Sequence, residues 1–453
     1  MNILAIDPGL QWIEGKNVQR VYPRIGFAYI ATVLSQEHHV NVVDVSASQI
    51  TWSQLANIYT QVNPDMVCIT AVAFHHDDAL DTGRLAKRVD PDTTVVFGGA
   101  HPTALYEDFL TAGDVVVLGE GEHTVQEIAE AVSNGSCCWD DIKGVAFKNG
   151  EETVVKERRD SISNLDDLPF PDWELFDYSH YLSIPSDTYN RNIHFYSISG
   201  MRGCPYVCSF CSSLHGTTVR CRSPESVVSE MALNLKKFNA HHFDLADCNA
   251  TVNKERFLEL CCMLGEKDID VIWNMETRVD LVDEEIVSAA KKGGCQVICY
   301  GIESGDEFIL RKIGKTYSVD QIEDAVRIAS DAGLIVKSSF IIGHPYETMD
   351  SAEKTFELAK KLRIKYGMDL YFGLIDVYPK SRVYEMAENQ EGCTWVGGMR
   401  NNWKAIQRNT ATIETEELDK AQLEHFYYTF TDEIKKIPAT DYYKGKTKSD
   451  IEK

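Results

Sequence analysis

The sequence predicts an α/β protein: a doubly wound parallel sheet, then a partial (β/α)6 barrel of the TIM type, then a small carboxyl-terminal region. Three observations carry this reading. Short apolar runs alternate with segments of helical period over residues 1–135, the same alternation returns over 196–385, and turn and proline signals replace it over 136–195. Parallel strands covered by helices on both faces read as unbroken apolar runs. The expected domains are 1–135, a Rossmann-like sheet; 136–195, a linker with a hairpin; 196–385, the partial barrel; and 386–453, a region on the substrate side of the barrel.

Each element has its own signal. Met1–Asp7, Val40–Val45, Met66–Thr70, Val95–Gly98 and Asp114–Leu118 are strand-like, with helical periodicity in Gly26–Gln36, Trp52–Gln61, Ala79–Val89 and Thr124–Ser133. Asn149-Gly150 marks a hairpin between Gly144–Lys148 and Thr153–Lys156. Leu168-Pro169-Phe170-Pro171-Asp172-Trp173 predicts an extended linker, because proline keeps its predecessor out of the helical region. Its aromatic residues are expected to pack between domains. In the second half the candidate strands are His194–Ser199, His242–Leu245, Val271–Met275, Val297–Gly301, Ile335–Ile342 and Leu370–Val377. Helices read between them, as in Ser223–Phe238, Asn253–Leu264 and Val319–Ala332, and six such units match an open barrel. Thr415–Lys435 predicts a last helix.

Composition narrows the function classes. Hydrophobic residues make up 44% and charged residues 25% of 453, as in a soluble globular protein. The net charge of −24 disfavours a nucleic-acid partner, which needs clustered Lys and Arg. No run of 18 apolar residues predicts a membrane helix, and the apolar start lacks the basic flank of a signal peptide. A cytoplasmic protein without a membrane partner is expected. Thirteen cysteines in such a chain predict reduced thiols rather than a disulfide framework. Those outside the motif described next are expected to be small buried hydrophobes.

The segment Gly200-Met201-Arg202-Gly203-Cys204-Pro205-Tyr206-Val207-Cys208-Ser209-Phe210-Cys211 carries CxxxCxxC. Three thiolates on one loop reach three corners of a four-iron four-sulfur cube and leave the fourth iron open to a chelating ligand. The loop follows the first barrel strand, where such folds place catalytic loops. A zinc site would want a fourth ligand, and a redox pair would need only CxxC.

In these residues the chain resembles the radical S-adenosylmethionine (SAM) superfamily over most of 196–380. The resemblance implies that Cys204, Cys208 and Cys211 are the catalytic cluster ligands. The open iron chelates SAM, and electron transfer from a reducing donor yields a 5′-deoxyadenosyl radical that abstracts hydrogen from an unactivated carbon. It also implies SAM contacts from Phe210 in the loop, from Asp247 in Asp244–Asn249, and from Glu303 and Ser304 in Gly301-Ile302-Glu303-Ser304-Gly305. Ile342 in Ile341–Thr348 and Tyr378 in Val377–Ser381 complete that set. His344 and Tyr346 depart from the family's usual turn, so the backbone is expected to differ there.

The amino-terminal region resembles the cobalamin-binding domain joined to one subgroup of that superfamily. Pro23-Arg24-Ile25-Gly26, Val40–Asp44, Gly98-Gly99-Ala100-His101-Pro102 and Gly119-Glu120-Gly121-Glu122 carry the likeness in the expected order. It implies cobalamin contacts from Thr70, Phe74 and His75 after the third strand, from Gly98, Gly99 and His101 after the fourth, and from Gly119, Glu120, Gly121 and Glu122 after the fifth. No DxHxxG motif supplies a lower axial histidine, so a base-off state is implied, with His75 or His76 the residues able to approach cobalt.

The function so implied is a cobalamin-dependent radical SAM C-methyltransferase. It moves a methyl group from methylcobalamin to an unactivated sp3 carbon, on a protein or peptide residue. A cyclase or rearrangement enzyme with the same cofactors, and a sensor without turnover, are the alternatives. Trp395, Trp403, Tyr427, Tyr428, Tyr442 and Tyr443 are candidates for the substrate side.

Overall fold

The computed structural model describes residues 1–9, 21–186, 191–212, 215–266, 269–407 and 409–438. It divides into two compact units, Met1–Leu182 and Ser183–Lys453.

The first unit is a seven-stranded sheet in the order β2-β1-β3-β4-β5-β6-β7. Its parallel strands are β1 (Asn2–Asp7), β2 (His39–Asp44), β3 (Met66–Thr70), β4 (Thr94–Gly98) and β5 (Val115–Val117). Ile3, Leu4, Ala5, Ile6, Val67, Val95, Phe97, Val115 and Val116 are buried, as expected of strands covered on both faces. β6 (Val145–Asn149) and β7 (Glu152–Val155) then add antiparallel to β5.

This corrects the boundary at 135. The hairpin is the outer edge of the first sheet, because apolar Val145–Phe147 pairs with Val115–Val117 and is itself buried. The proline-rich segment belongs to the same unit. Trp173 of this segment is buried and lies 5.9 Å from Phe176, which is edge-on to Phe27 at 6.0 Å, and the Asp172 amide donates to Thr32 Oγ1 at 2.8 Å. Tyr181 Oη donates to Asp44 at 2.9 Å, which ties the segment to the end of β2.

The second unit holds the six expected barrel strands: β9 (Arg191–Ile198), β12 (His242–Leu245), β13 (Ile272–Thr277), β14 (Cys295–Glu303), β15 (Ile335–Ile342) and β16 (Asp369–Leu374). They are parallel neighbours, and β8 (Ser183–Ser186) adds antiparallel to β9. Short ribbons of β10 (Met201–Arg202) with β11 (Arg220–Cys221) and of β17 (Cys393–Trp395) with β18 (Ile413–Thr415) lie outside this sheet.

Burial alternates along β13, β15 and β16. In β15, Val336, Ser338, Phe340 and Ile342 are buried, while Lys337, Ser339 and Ile341 are half-buried. Where successive strands add in one direction, as from β9 to β16, right-handed crossovers place every helix on one face of the sheet. Accordingly Tyr300 reaches helix 319–331, its hydroxyl donating to the Ala325 carbonyl at 3.3 Å, and Phe372 meets Phe356 on helix 349–366. The other face is the inner, concave side of an open half-barrel.

The final helix, Lys420–Lys435, also lies on the helix-covered side. Phe430 stacks on Phe356 at 4.4 Å and meets Phe372 at 5.6 Å. Tyr427 and Tyr428 therefore ride on a helix of the outer layer, contrary to their expected place on the substrate side. Trp403 is buried, and Trp395 packs edge-on to Tyr384. Tyr442 and Tyr443 lie outside the described residues. Among the described residues no helix is long and apolar enough to cross a membrane.

Candidate active site

The CxxxCxxC loop leaves the carboxyl end of β9 and is pinned from several directions. Asp247 Oδ1, just past β12, accepts the amides of Gly200 and Met201 at 2.6 and 2.9 Å. Arg256 donates to the Gly200 carbonyl at 2.8 Å, and Arg222, paired with buried Glu230, donates to the Ser199 carbonyl beside it at 3.1 Å. Gly203 has φ 85°, and a Cβ there would stand 2.1 Å from the Thr218 carbonyl, so the turn before Cys204 admits only glycine. The Ser209 amide donates to the Ile313 carbonyl at 3.1 Å, and the Cys211 amide to the Cys208 carbonyl at 3.0 Å.

Cys204 and Cys208 are half-buried and Cys211 is exposed. Cubane ligands sit on three separate irons, wider apart than the ligands of one ion. Among the described residues no three His, Cys, Asp or Glu side chains gather closely enough to hold a single ion. The other ten cysteines correct the expectation that all are buried. Cys68, Cys261, Cys295 and Cys393 are, whereas Cys137, Cys138, Cys248 and Cys262 are exposed.

Cys248 is one residue the sequence did not single out. Its thiol donates to the Gly203 carbonyl at 3.3 Å and stands against Cys204. A hydrogen bond from the Cys248 thiol to Cys204 itself, helped by the Tyr206 amide and by Arg278 and Lys315, outweighs burial and pulls Cys204 below the usual thiol range. Burial pushes Cys208 and Cys211 the other way.

Arg278 and Lys315 are the cations beside the loop. Arg278 stacks 3.8 Å over Tyr206 and is held bidentately by Asp280 at 2.9 Å. Lys315 is buried and bonds the Gly301 carbonyl and Glu303 Oε1, the latter at 3.2 Å. Burial opposes its charge, but Glu303, Tyr317 and Cys208 outweigh it and hold the ammonium above its usual range.

Glu303 ends β14 at a bulge, with φ 69°, and its second oxygen accepts from Ser339 Oγ at 3.2 Å. Tyr346 after β15 and Lys380 after β16 share the left-handed region, at φ 65° and 63°. Non-glycine residues held there cost roughly 1–3 kcal/mol each and cluster at functional sites. Tyr346 is one of the two residues expected to change the backbone at this turn.

The remaining predicted SAM contacts fall around the same strand ends. Phe210 packs near His344 at 5.7 Å, and Tyr378 Oη donates to Asp376 at 3.0 Å. Ile342 is fully buried, its carbonyl accepting from Ile375 at 2.8 Å. Ser304 Oγ faces Thr355 of helix 349–366 at 3.2 Å, which makes it a turn-former on the outer side. Asp247 keeps one oxygen buried without a partner, and burial lifts its carboxyl to about 6. Ser209 Oγ, Arg278 Nη1 and both ring nitrogens of His344 are also buried and unpartnered. Orphaned polar atoms in a protein interior are costly. Their concentration beside Phe210 and the cysteine loop fits a polar ligand seated there.

In the first unit the predicted residues gather at the carboxyl edge of the sheet. Gly98, Gly99, Gly119 and Gly121 leave backbone open there. Gly99 has φ 102°, and a Cβ on it would press to 3.0 Å from Thr70 Oγ1. Gly119 Cβ would meet nothing within 4 Å, so the backbone lies bare at that point of the edge, where a large planar cofactor fits. Phe74 lies edge-on to His75 at 4.5 Å and under Arg24, which bonds Asp7 at 2.9 Å. Glu120 accepts the Ile162 amide at 2.8 Å, and Glu122 is buried.

The histidines are held inside the fold. His75 is buried with Nδ1 3.8 Å from Asp7. His76 Nδ1 and His101 Nε2 meet at 3.0 Å, both edge-on to Phe109. Burial pushes both below the usual imidazole range, His101 to about 3. His101 is thus a core residue paired to His76.

Comparisons with known proteins agree with this arrangement. A B12-binding domain model matches residues 13–129, and a radical SAM superfamily model matches 198–359. The chain is 33% identical over 396 residues to an uncharacterised methyltransferase of Pyrococcus horikoshii, covering 85% of this chain and 83% of that one. It is 30% identical over 371 residues to the anaerobic magnesium-protoporphyrin IX monomethyl ester cyclase of Rubrivivax gelatinosus, covering 80% and 66%. Among solved structures, the radical SAM methyltransferase TsrM from Kitasatospora setae with cobalamin and [4Fe-4S] cluster bound superposes with TM-score 0.67 at 21% identity, over 86% of this chain and 78% of that one. The apo cobalamin-dependent SAM radical enzyme OxsB gives 0.70 at 16% identity, over 93% and 65%. At these identities the two structures speak for the fold.

Proposed function

Because the chain belongs to the cobalamin-dependent radical SAM methyltransferase family, we propose that it methylates an unactivated sp3 carbon after hydrogen abstraction, on a protein or peptide residue in the cytoplasm. Its cofactors are a four-iron four-sulfur cluster, SAM and cobalamin. When bound, the cluster and SAM supply a 5′-deoxyadenosyl radical, and cobalamin supplies the methyl group.

The chain's own residues do the rest. Cys204, Cys208 and Cys211 hold the cluster, and Asp247 fixes their loop through two backbone amides. Arg278 and Lys315 offset the thiolate charge. Glu303, held by Lys315 and Ser339, would contact SAM together with Phe210, Ile342, Tyr378 and the orphaned nitrogens of His344. Asp247 Oδ2 is available to the polar head of SAM. In the first unit the backbone at Thr70, Gly98, Gly99, Gly119 and Gly121 would hold the corrin, with Phe74, His75, Glu120 and Glu122 beside it. His75 is already beside Asp7, which supports a base-off cobalamin without a histidine ligand.

The observation that carries this reading is the CxxxCxxC loop seated at the end of β9 in a chain one-third identical to a methyltransferase along most of both lengths. The 30% identity to a cyclase favours a second reading, ring closure with the same cofactors and no methyl transfer. The test supplies methyl-labelled SAM and a reductant to the anaerobically reconstituted full chain. Label reaching the corrinoid, together with deoxyadenosine, supports methyl transfer. Deoxyadenosine without labelled corrinoid favours the cyclase reading.

A further inference from the structure

The concave face of the half-barrel carries charged side chains in register across five strands. Asp244 of β12 lies beside Asn274 of β13, Glu276 of β13 beside Cys299 of β14, Cys299 beside Lys337 of β15, and Ser339 of β15 beside Tyr371 of β16. Most of these groups answer to one another. Glu303 has Lys315 and Ser339, and Asp369 has Lys337 at 3.6 Å.

Glu276 differs. No hydrogen bond or ion pair reaches its carboxylate among the described residues, and its charged neighbours, Asp244 and Glu303, are both acids. It remains accessible from the open side of the sheet. Its seat within the curve, together with those two acids, lifts its carboxyl to about 7.

Two independent features of the same face call for a ligand. Ser197 of β9, in register with Asp244, is fully buried, and its hydroxyl has no partner. Tyr371 leaves 64% of its surface exposed although it stands on the inner wall. A carboxylate without a cation, an unused hydroxyl and an open aromatic ring form a receptor for a protonated nitrogen, which pairs with a carboxylate and lies over an aromatic face. The net charge of −24 draws such a group toward the protein.

We propose that the substrate enters the half-barrel through a protonated nitrogen seated on the Glu276 carboxylate, with the Tyr371 ring as its aromatic wall. This rests on the reading of the half-barrel as the reaction chamber. It names the substrate class of that chamber: a cationic amine or guanidine, free or on a peptide.

The test measures binding to the anaerobically reconstituted full chain with SAM saturating. The probes are N-acetyl-arginine methylamide, its neutral citrulline counterpart, and agmatine as the free cation. The arginine or agmatine probe is expected to bind at least ten-fold tighter than citrulline, and which of the two binds tells a peptide source from a free one. Glu276→Gln is expected to remove that preference. Tyr371→Leu, a change at an exposed side chain, is expected to weaken the cationic probes several-fold and leave citrulline unchanged. Equal binding of arginine, agmatine and citrulline probes overturns the proposal. So does a preference that survives Glu276→Gln in a variant whose cluster absorbance and melting curve match wild type. Deoxyadenosine formation by the wild-type preparation without probe is scored separately; its absence sinks the radical SAM reading itself.

Discussion

Two parallel sheets in one chain solve the same packing problem differently. In the first, Ile3 to Asp7 of β1 and Met66 to Ile69 of β3 are buried without interruption. In the second, β15 alternates buried and half-buried residues along its whole length. A sheet covered on both faces leaves no place for a charged side chain except at its ends. The edge proposed above for the corrin is therefore backbone: Gly98, Gly99, Gly119 and Gly121. A half-barrel leaves its inner face bare of helices. Asp244, Glu276, Lys337 and Tyr371 can therefore sit within strands, where the recognition proposed above would use side chains.

The largest effect that sharpens this contrast is on the cluster. Cys208→Ala removes one of three thiolates on the loop and is expected to abolish both the cubane absorbance and deoxyadenosine formation. Corrinoid retention by the first unit is expected to stay at the wild-type level. Loss of the corrinoid as well would show that the two sites are not independent.

A smaller effect is expected from the backbone edge. Gly99→Ala forces a Cβ into a conformation at φ 102° that only glycine adopts readily, 3.0 Å from Thr70 Oγ1. It is expected to cost about 1–3 kcal/mol. Corrinoid retention should fall, with faster hydrogen exchange in peptides spanning 66–104 and an unchanged cluster spectrum. Unchanged exchange and retention would mean that the edge tolerates side chains, and the contrast with the half-barrel would fail.

The sequence announced what runs along one strand or one loop. β1, β3, β4 and β12 to β15 are legible as apolar or alternating runs, and the cysteine loop by its spacing. What assembles from distant segments was not. Lys315 and Arg278 reach the loop from beyond β14 and from the end of β13, and Cys248 from beyond β12; nothing in one chain's residue types marks them as neighbours. The hairpin at Asn149-Gly150 was visible, but its pairing with β5 was not, because a turn signal says that two strands meet and not which sheet they join. Likewise the helical pattern of Thr415–Lys435 was plain, and only packing of Phe430 on Phe356 shows which face it covers.

The smallest effect separates the units by their response to acid. His76 and His101 meet in the core of the first unit, and burial holds both imidazoles neutral, His101 down to about 3. Their folded values lie below the unfolded imidazole value of about 6.5. The unfolded chain therefore binds more protons between those limits. This pair's contribution is complete above about 6.5 and is lost as pH falls toward 3. Glu347 in the second unit has the opposite sign. Burial raises its carboxyl to about 8, so its contribution is present below the unfolded carboxyl value and is lost as pH rises through about 8. Hydrogen exchange followed peptide by peptide should show residues 73–112 loosening on the acid side and residues 340–352 on the alkaline side. Glu347→Gln is expected to flatten only the alkaline arm. An alkaline arm that persists in that variant would mean that another group, not this buried acid, sets the limit.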